Sequence, residues 1–111
     1  MWIAHSAEGS GGWVSIVAHR SKPEYLMVRA RVPDHITSMW PKAEIYVSEG
    51  PHDYQFRADI LREDVAMVLK KYTESIDYDD YKKSVSDSDL YDALVRIWSV
   101  LVQVFGRGPV Y

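Results

Sequence analysis

Three arginines have the side-chain type and spacing to do chemistry. Arg29 and Arg31 stand two positions apart in the alternating run 25–32 (YLMVRARV), and Arg57 sits in a second alternating run, 54–60 (YQFRADI). In an extended strand, residues two apart share a face. Arg29 and Arg31, with Tyr25 and Met27, therefore point away from the face made by Leu26, Val28, Ala30 and Val32. Arg57, with Gln55 and Asp59, points away from Tyr54, Phe56, Ala58 and Ile60. If the two strands are neighbours, three guanidinium groups share one patch, flanked by Tyr25, Tyr46 and Gln55. Such a patch suits a carboxylate or a phosphate, because a guanidinium presents a planar fork of donors. The competing reading is that Glu44, Asp53 and Asp59 supply one acid for each arginine and neutralise them as cross-strand pairs on a wet face. RNA binding on the open sheet is disfavoured, since the aromatic residues do not form a paired strand motif.

Other residue types assemble into less. His5, His19, His35 and His52 lie in separate segments, with no pair at the spacing of a metal site. Residues 76–85 (IDYDDYKKSV) hold three aspartates in four positions, but no glycine turn and no terminal glutamate of a calcium loop, so they read as solvated. Tyr78 and Tyr81 are expected to pack over the core edge. No serine sits in a nucleophile elbow, and no general acid and base pair can be assembled. Cysteine is absent, which excludes disulfides, thiolate ligands and a cysteine nucleophile. The expectation is a chain with no catalytic residues, no metal and no cofactor.

The elements that must position these residues follow from pattern and punctuation. Residues 2–4 read as a short edge strand, 8–12 (EGSGG) as a flexible connection or hinge, and 13–19 (WVSIVAH) as a strand. The run 25–32 is the clearest strand. Pro33 and Asp34 open a brief helix with Ile36, Met39 and Trp40 on one side, closed by Pro41. Residues 44–47 and 54–60 are two more strands, and a helix follows over 62–75 with Val65, Val68, Leu69, Tyr72 and Ile76 at helical spacing. The order predicts an α+β fold: a four-stranded, largely antiparallel sheet with helices packed on one face, in ββαββα order, plus a long C-terminal helix. At 111 residues it is a single globular domain.

That last helix, 88–105 (SDLYDALVRIWSVLVQVF), is the most unusual stretch. Leu90, Leu94, Ile97, Trp98, Leu101 and Phe105 form one stripe, flanked by Tyr91, Val95 and Val102 on one side and Ala93, Val100 and Val104 on the other. Water is left a narrow strip on which Asp92 and Arg96 have the spacing of a helical ion pair. The acidic and serine cluster at 86–89 supplies N-cap oxygens, and Gly106, then Gly108 and Pro109, end the run. The run is too short and too mixed for a membrane span. A helix so apolar needs cover on two sides, the second from the same chain or from a partner.

Net charge is −3, from 13 basic and 16 acidic residues, which removes the generic electrostatic case for nucleic-acid binding. Seven acids between Glu74 and Asp92, against Lys82 and Lys83, make the approach to the last helix acidic. The first residues show neither a basic nor an apolar signal region, so the expected location is cytoplasmic.

Trp2, the run WVSIV at 13–17, LMVRAR at 26–31, DYQFR at 53–57, Ile76-Asp77-Tyr78 with Tyr81-Lys82, and VRIW at 95–98 together resemble a family of small actinobacterial and actinophage proteins with no established activity. The resemblance covers most of the chain in the same order. It departs at Asp79-Asp80-Tyr81, where the pattern has Asn-Phe before the lysine, and at Leu61, where a serine would cap the helix. It implies a bacterial or phage origin and no function. The functional expectation is a non-enzymatic interaction domain that binds itself, as a homodimer, or another protein through Val95, Trp98, Val100, Val102 and Val104. The alternative is a small-ligand or anion-binding domain using Arg29, Arg31 and Arg57.

Overall fold

The computed structural model describes residues 1–7 and 9–106. Glu8 of the expected flexible connection, and Gly108 and Pro109 of the expected stop signal, lie outside the described residues. The fold is α+β, built on one open antiparallel sheet. Strands β1 (Trp2–Ala7), β2 (Ser10–Ala18), β3 (Tyr25–Ala30), β4 (Tyr46–Val47) and β5 (Phe56–Leu61) are joined in the order β1-β2-β3-β5-β4. Helices α1 (Asp34–Thr37), α2 (Arg62–Glu74), α3 (Tyr81–Ser84) and α4 (Ser88–Phe105) complete it.

Several expectations are corrected, the first being the element order, which is βββαββα followed by the short α3 and the long α4 rather than ββαββα plus one helix. The sheet has five strands rather than four, because the segment after Met1 pairs with β2 along its whole length, from Trp2 opposite Ser15 to Ala7 opposite Ser10. The glycine-rich stretch is largely strand: Gly11 and Gly12 belong to β2, and only Gly9, at φ +80°, takes a left-handed turn conformation.

The helices also lie on both faces rather than one. Alternation along β1 and β2 separates the two cores. Val14 and Ile16 join Val28, Ala30, Ala58 and Ile60 in the main core, covered by α1 through Ile36 and by α2 through Val65. The intervening Trp13 and the neighbouring Ala4 face the other way, into a smaller core with Val85, Leu90 and Leu94. The adjacent glycines permit both approaches. A Cβ at Gly12 would stand 2.3 Å from His35 Cγ of α1, and one at Gly11 would stand 2.9 Å from Leu90 Cδ2 of α4. Glycine within a strand here marks close approach, not flexibility.

His35 completes this corner. Its Nδ1 accepts from the Trp13 N–H at 3.3 Å, and its carbonyl lies 2.8 Å from His5 Nε2. A carbonyl only accepts, so Nε2 of His5 carries the hydrogen. His5 is buried, and that burial drives its pKa down to about 4, with the hydrogen bond to the His35 carbonyl opposing and the His35 ring adding to the drop.

Helix ends are satisfied by different means. Asp87 caps α4 by accepting from the Leu90 N–H at 2.9 Å, and Asp92 pairs with Arg96 at 3.1 Å. Leu61 gives α2 no side-chain cap, but the Arg62 N–H donates to the Glu24 carbonyl at 2.8 Å. Val32, expected inward, is exposed because β3 ends at Ala30.

Two outcomes follow. Gly12→Ala should cost about 1–3 kcal/mol in a denaturant melt, since His35 is fixed at both ends. His5 binds its proton more weakly folded than unfolded, so stability should fall as pH drops from 6.5 towards 4, by up to about 3 kcal/mol. His5→Gln keeps a donor for the His35 carbonyl and cannot titrate, so comparing the two melts across that window isolates the contribution.

Candidate functional site

Register decides whether the arginines meet. β3 and β5 pair with Arg29 directly opposite Arg57, and β4 places Tyr46 opposite Arg57 on its other side. Arg31 follows β3 by one residue. All three arginines touch Tyr54: the Cζ atoms of Arg29 and Arg31 lie 5.0 Å and 4.4 Å from the centre of its ring, and Arg57 Nε donates to its carbonyl at 3.2 Å. Tyr54 is buried, as its alternation implied, but against cations rather than in the main core.

The expected neutralising acids do not reach them. Among the described residues no carboxylate forms an ion pair with Arg29, Arg31 or Arg57. Asp59 lies opposite Met27, one same-face step away, and its two oxygens engage His19 Nε2 at 3.2 Å and the Tyr46 hydroxyl at 3.0 Å. The arginines make do with weaker partners: Arg29 Nη2 donates to Ser15 Oγ at 2.7 Å, and Arg57 Nη1 to Met27 Sδ at 3.4 Å. Arg29 Nε is buried and meets no acceptor. Like charges opposed across a strand pair repel, and the tyrosine face offsets part of that repulsion.

Tyr54 and Arg31 also line a cleft of about 830 Å³. Its apolar walls are Trp2 and Trp13, whose rings lie 5.9 Å apart, and the first half of α4 through Leu90 and Ile97. Asp34, Asp87 and Asp89 also line it. No group of three potential metal-ligating side chains occurs among the described residues.

The second candidate surface is the far half of α4. Leu90 and Leu94 are buried against β2 and α3, and no residue beyond Leu94 in the helix is buried. Trp98, Val100, Leu101, Val104 and Phe105 are between 44% and 78% exposed, while Val95 and Val102 are partly buried. Lys82 of α3 sits 5.7 Å over the Trp98 ring. The overall extents, 49 × 32 × 26 Å, and a radius of gyration of 15.4 Å, against about 13 Å for a compact chain of this size, reflect an elongated molecule. No helix among the described residues is long and apolar enough to cross a membrane.

No protein family, curated protein or solved structure matches this chain.

Residue pattern assigns Tyr54 to the apolar side of its strand and gives Ser15 and Trp2 strand positions but no role in a site; an aromatic preceding an arginine-bearing strand is the one available signal for the first of them. A double-mutant cycle of Arg29→Gln and Tyr54→Leu should give a coupling of about 0.5–2 kcal/mol in urea melts; zero coupling would remove the ring contact from the account.

Proposed function

We propose that the chain is a non-enzymatic interaction domain that associates with a second copy of itself through the far half of α4. The carrying observation is that the stripe Leu90, Leu94, Ile97, Leu101, Val104 keeps one spacing throughout, while its own fold buries only the first two members. Alternating steps of four and three residues are the heptad seam of paired helices. The seam begins as intrachain core and continues into water.

A second copy is favoured as the cover by charge. From Ile97 to Phe105 the helix carries no charged residue, so two such segments can pack against each other with no like-charge repulsion. Each exposed valine or leucine buried in such a contact contributes about 1.5–3 kcal/mol. Val100 and Val104 flank and extend the seam, with Val95, Trp98 and Val102 around it. The resemblance of the motifs to small actinobacterial and actinophage proteins supports a bacterial or phage origin.

Light scattering over a concentration series should give a dimer for the native chain. The double substitution Val100→Glu and Val104→Glu should give a folded monomer that melts where the native chain melts once diluted to its monomer, because both side chains are exposed within one copy and only the stabilisation from the second copy is lost. A native monomer at all concentrations, or a variant that unfolds, would sink this reading.

A further inference from the structure

Independently of the helix seam, we infer that the outer edge of β1 takes up an extended basic peptide of another protein as an added strand of the sheet. Met1 and Ile16 exchange both backbone hydrogen bonds, at 2.7 Å and 2.8 Å. Hydrogen-bonded pairs in an antiparallel ladder alternate, so Ile3, His5 and Ala7 bond inward to β2, while the N–H and C=O groups of Trp2, Ala4 and Ser6 point outward. No backbone group among the described residues bonds to these three from the open side. Such a row matches one kind of ligand, another extended backbone with the same two-residue repeat.

The two edges of the sheet are unlike. Strand β4 is only two residues long, which protects its edge, whereas β1 runs for six residues with no lysine, arginine, acid or proline to deter a further strand. Among the described residues, β2 alone runs closely along β1. Beside the open edge lies a groove of about 610 Å³, walled by Leu69 and Tyr72 of α2 from the main core and by Tyr81 of α3 from the smaller one. An added strand lies about 4.8 Å from its neighbour and sends alternate side chains to the two walls.

Charge selects the partner. Among the described residues, Asp77 lines the groove while no lysine or arginine does, and neither Asp77 nor the exposed Asp79 forms an ion pair. A basic segment meets these acids favourably. A second copy of the chain would bring its own Asp77 and Asp79 against them, so the edge disfavours self-pairing.

The test is an NMR titration of the full chain with capped hexapeptides of alternating lysine and valine, of alternating glutamate and valine, and of the lysine form N-methylated at every residue. The lysine peptide should give saturable amide shifts at Trp2, Ala4 and Ser6 and slow hydrogen exchange at Ala4 and Ser6 about tenfold. The glutamate peptide should bind about tenfold more weakly at low ionic strength. N-methylation keeps side chains and charge but removes the strand-forming donors, so that peptide should give no shifts at β1. Asp77→Asn combined with Asp79→Asn, both exposed and outside the two cores, should leave the fold intact and weaken the lysine peptide about threefold. No saturable shift with the lysine peptide, shifts confined to α4, equal binding of either control peptide, or an unchanged affinity in the aspartate variant would each overturn the inference. Concentration-dependent protection of Ala4 and Ser6 in the free chain would overturn it too, since a second copy would then hold the edge.

Discussion

The close approach of two helices to one pair of glycines is the constraint on which the rest of the molecule depends. Strand β2 has no side chain at Gly11 or Gly12, so His35 settles on one face and Leu90 on the other within a single residue of chain. His35 then ties α1 to β1 through His5 and to β2 through Trp13. Leu90, capped into place by Asp87, starts α4 against the opposite face. With ordinary side chains at these positions neither helix could reach the sheet, and the two cores would lose their shared wall.

That corner also sets the functional geography. Because α4 covers only the β1–β2 end of its face, the remainder of the same face stays open, and the arginines of β3 and β5 lie there. Tyr54 connects the two regions: it receives all three arginines and lines the cleft whose other wall is α4. The uncovered sheet and the overhanging helix are therefore two results of one packing choice.

Much of this was legible in residue order. Strict alternation in β3 and β5 identified Val28, Ala30, Ala58 and Ile60 as core and put Arg29 and Arg57 on the opposite face. Alternation does not carry register, however. A shift of two residues would keep every side chain on its face and set Asp59 against Arg29, producing the neutral sheet that composition suggested. The glycines misled for a related reason: composition signals a loop, whereas their role depends on what approaches from elsewhere in the chain. Periodicity likewise runs unchanged from Leu90 to Phe105, so it could not mark the point beyond Leu94 where the fold stops covering the helix.

That point divides one continuous helix into two regions under different physical constraints. Substitutions before it are judged by whether the domain folds, since Leu90 and Leu94 fill the smaller core. Those at the exposed positions after it, such as Val100, Val104 and Phe105, leave the packing of the domain unchanged. The helix is thus anchored in the domain at one end and exposed at the other, so its outermost turns, around Val104 and Phe105, can change without disturbing the sheet.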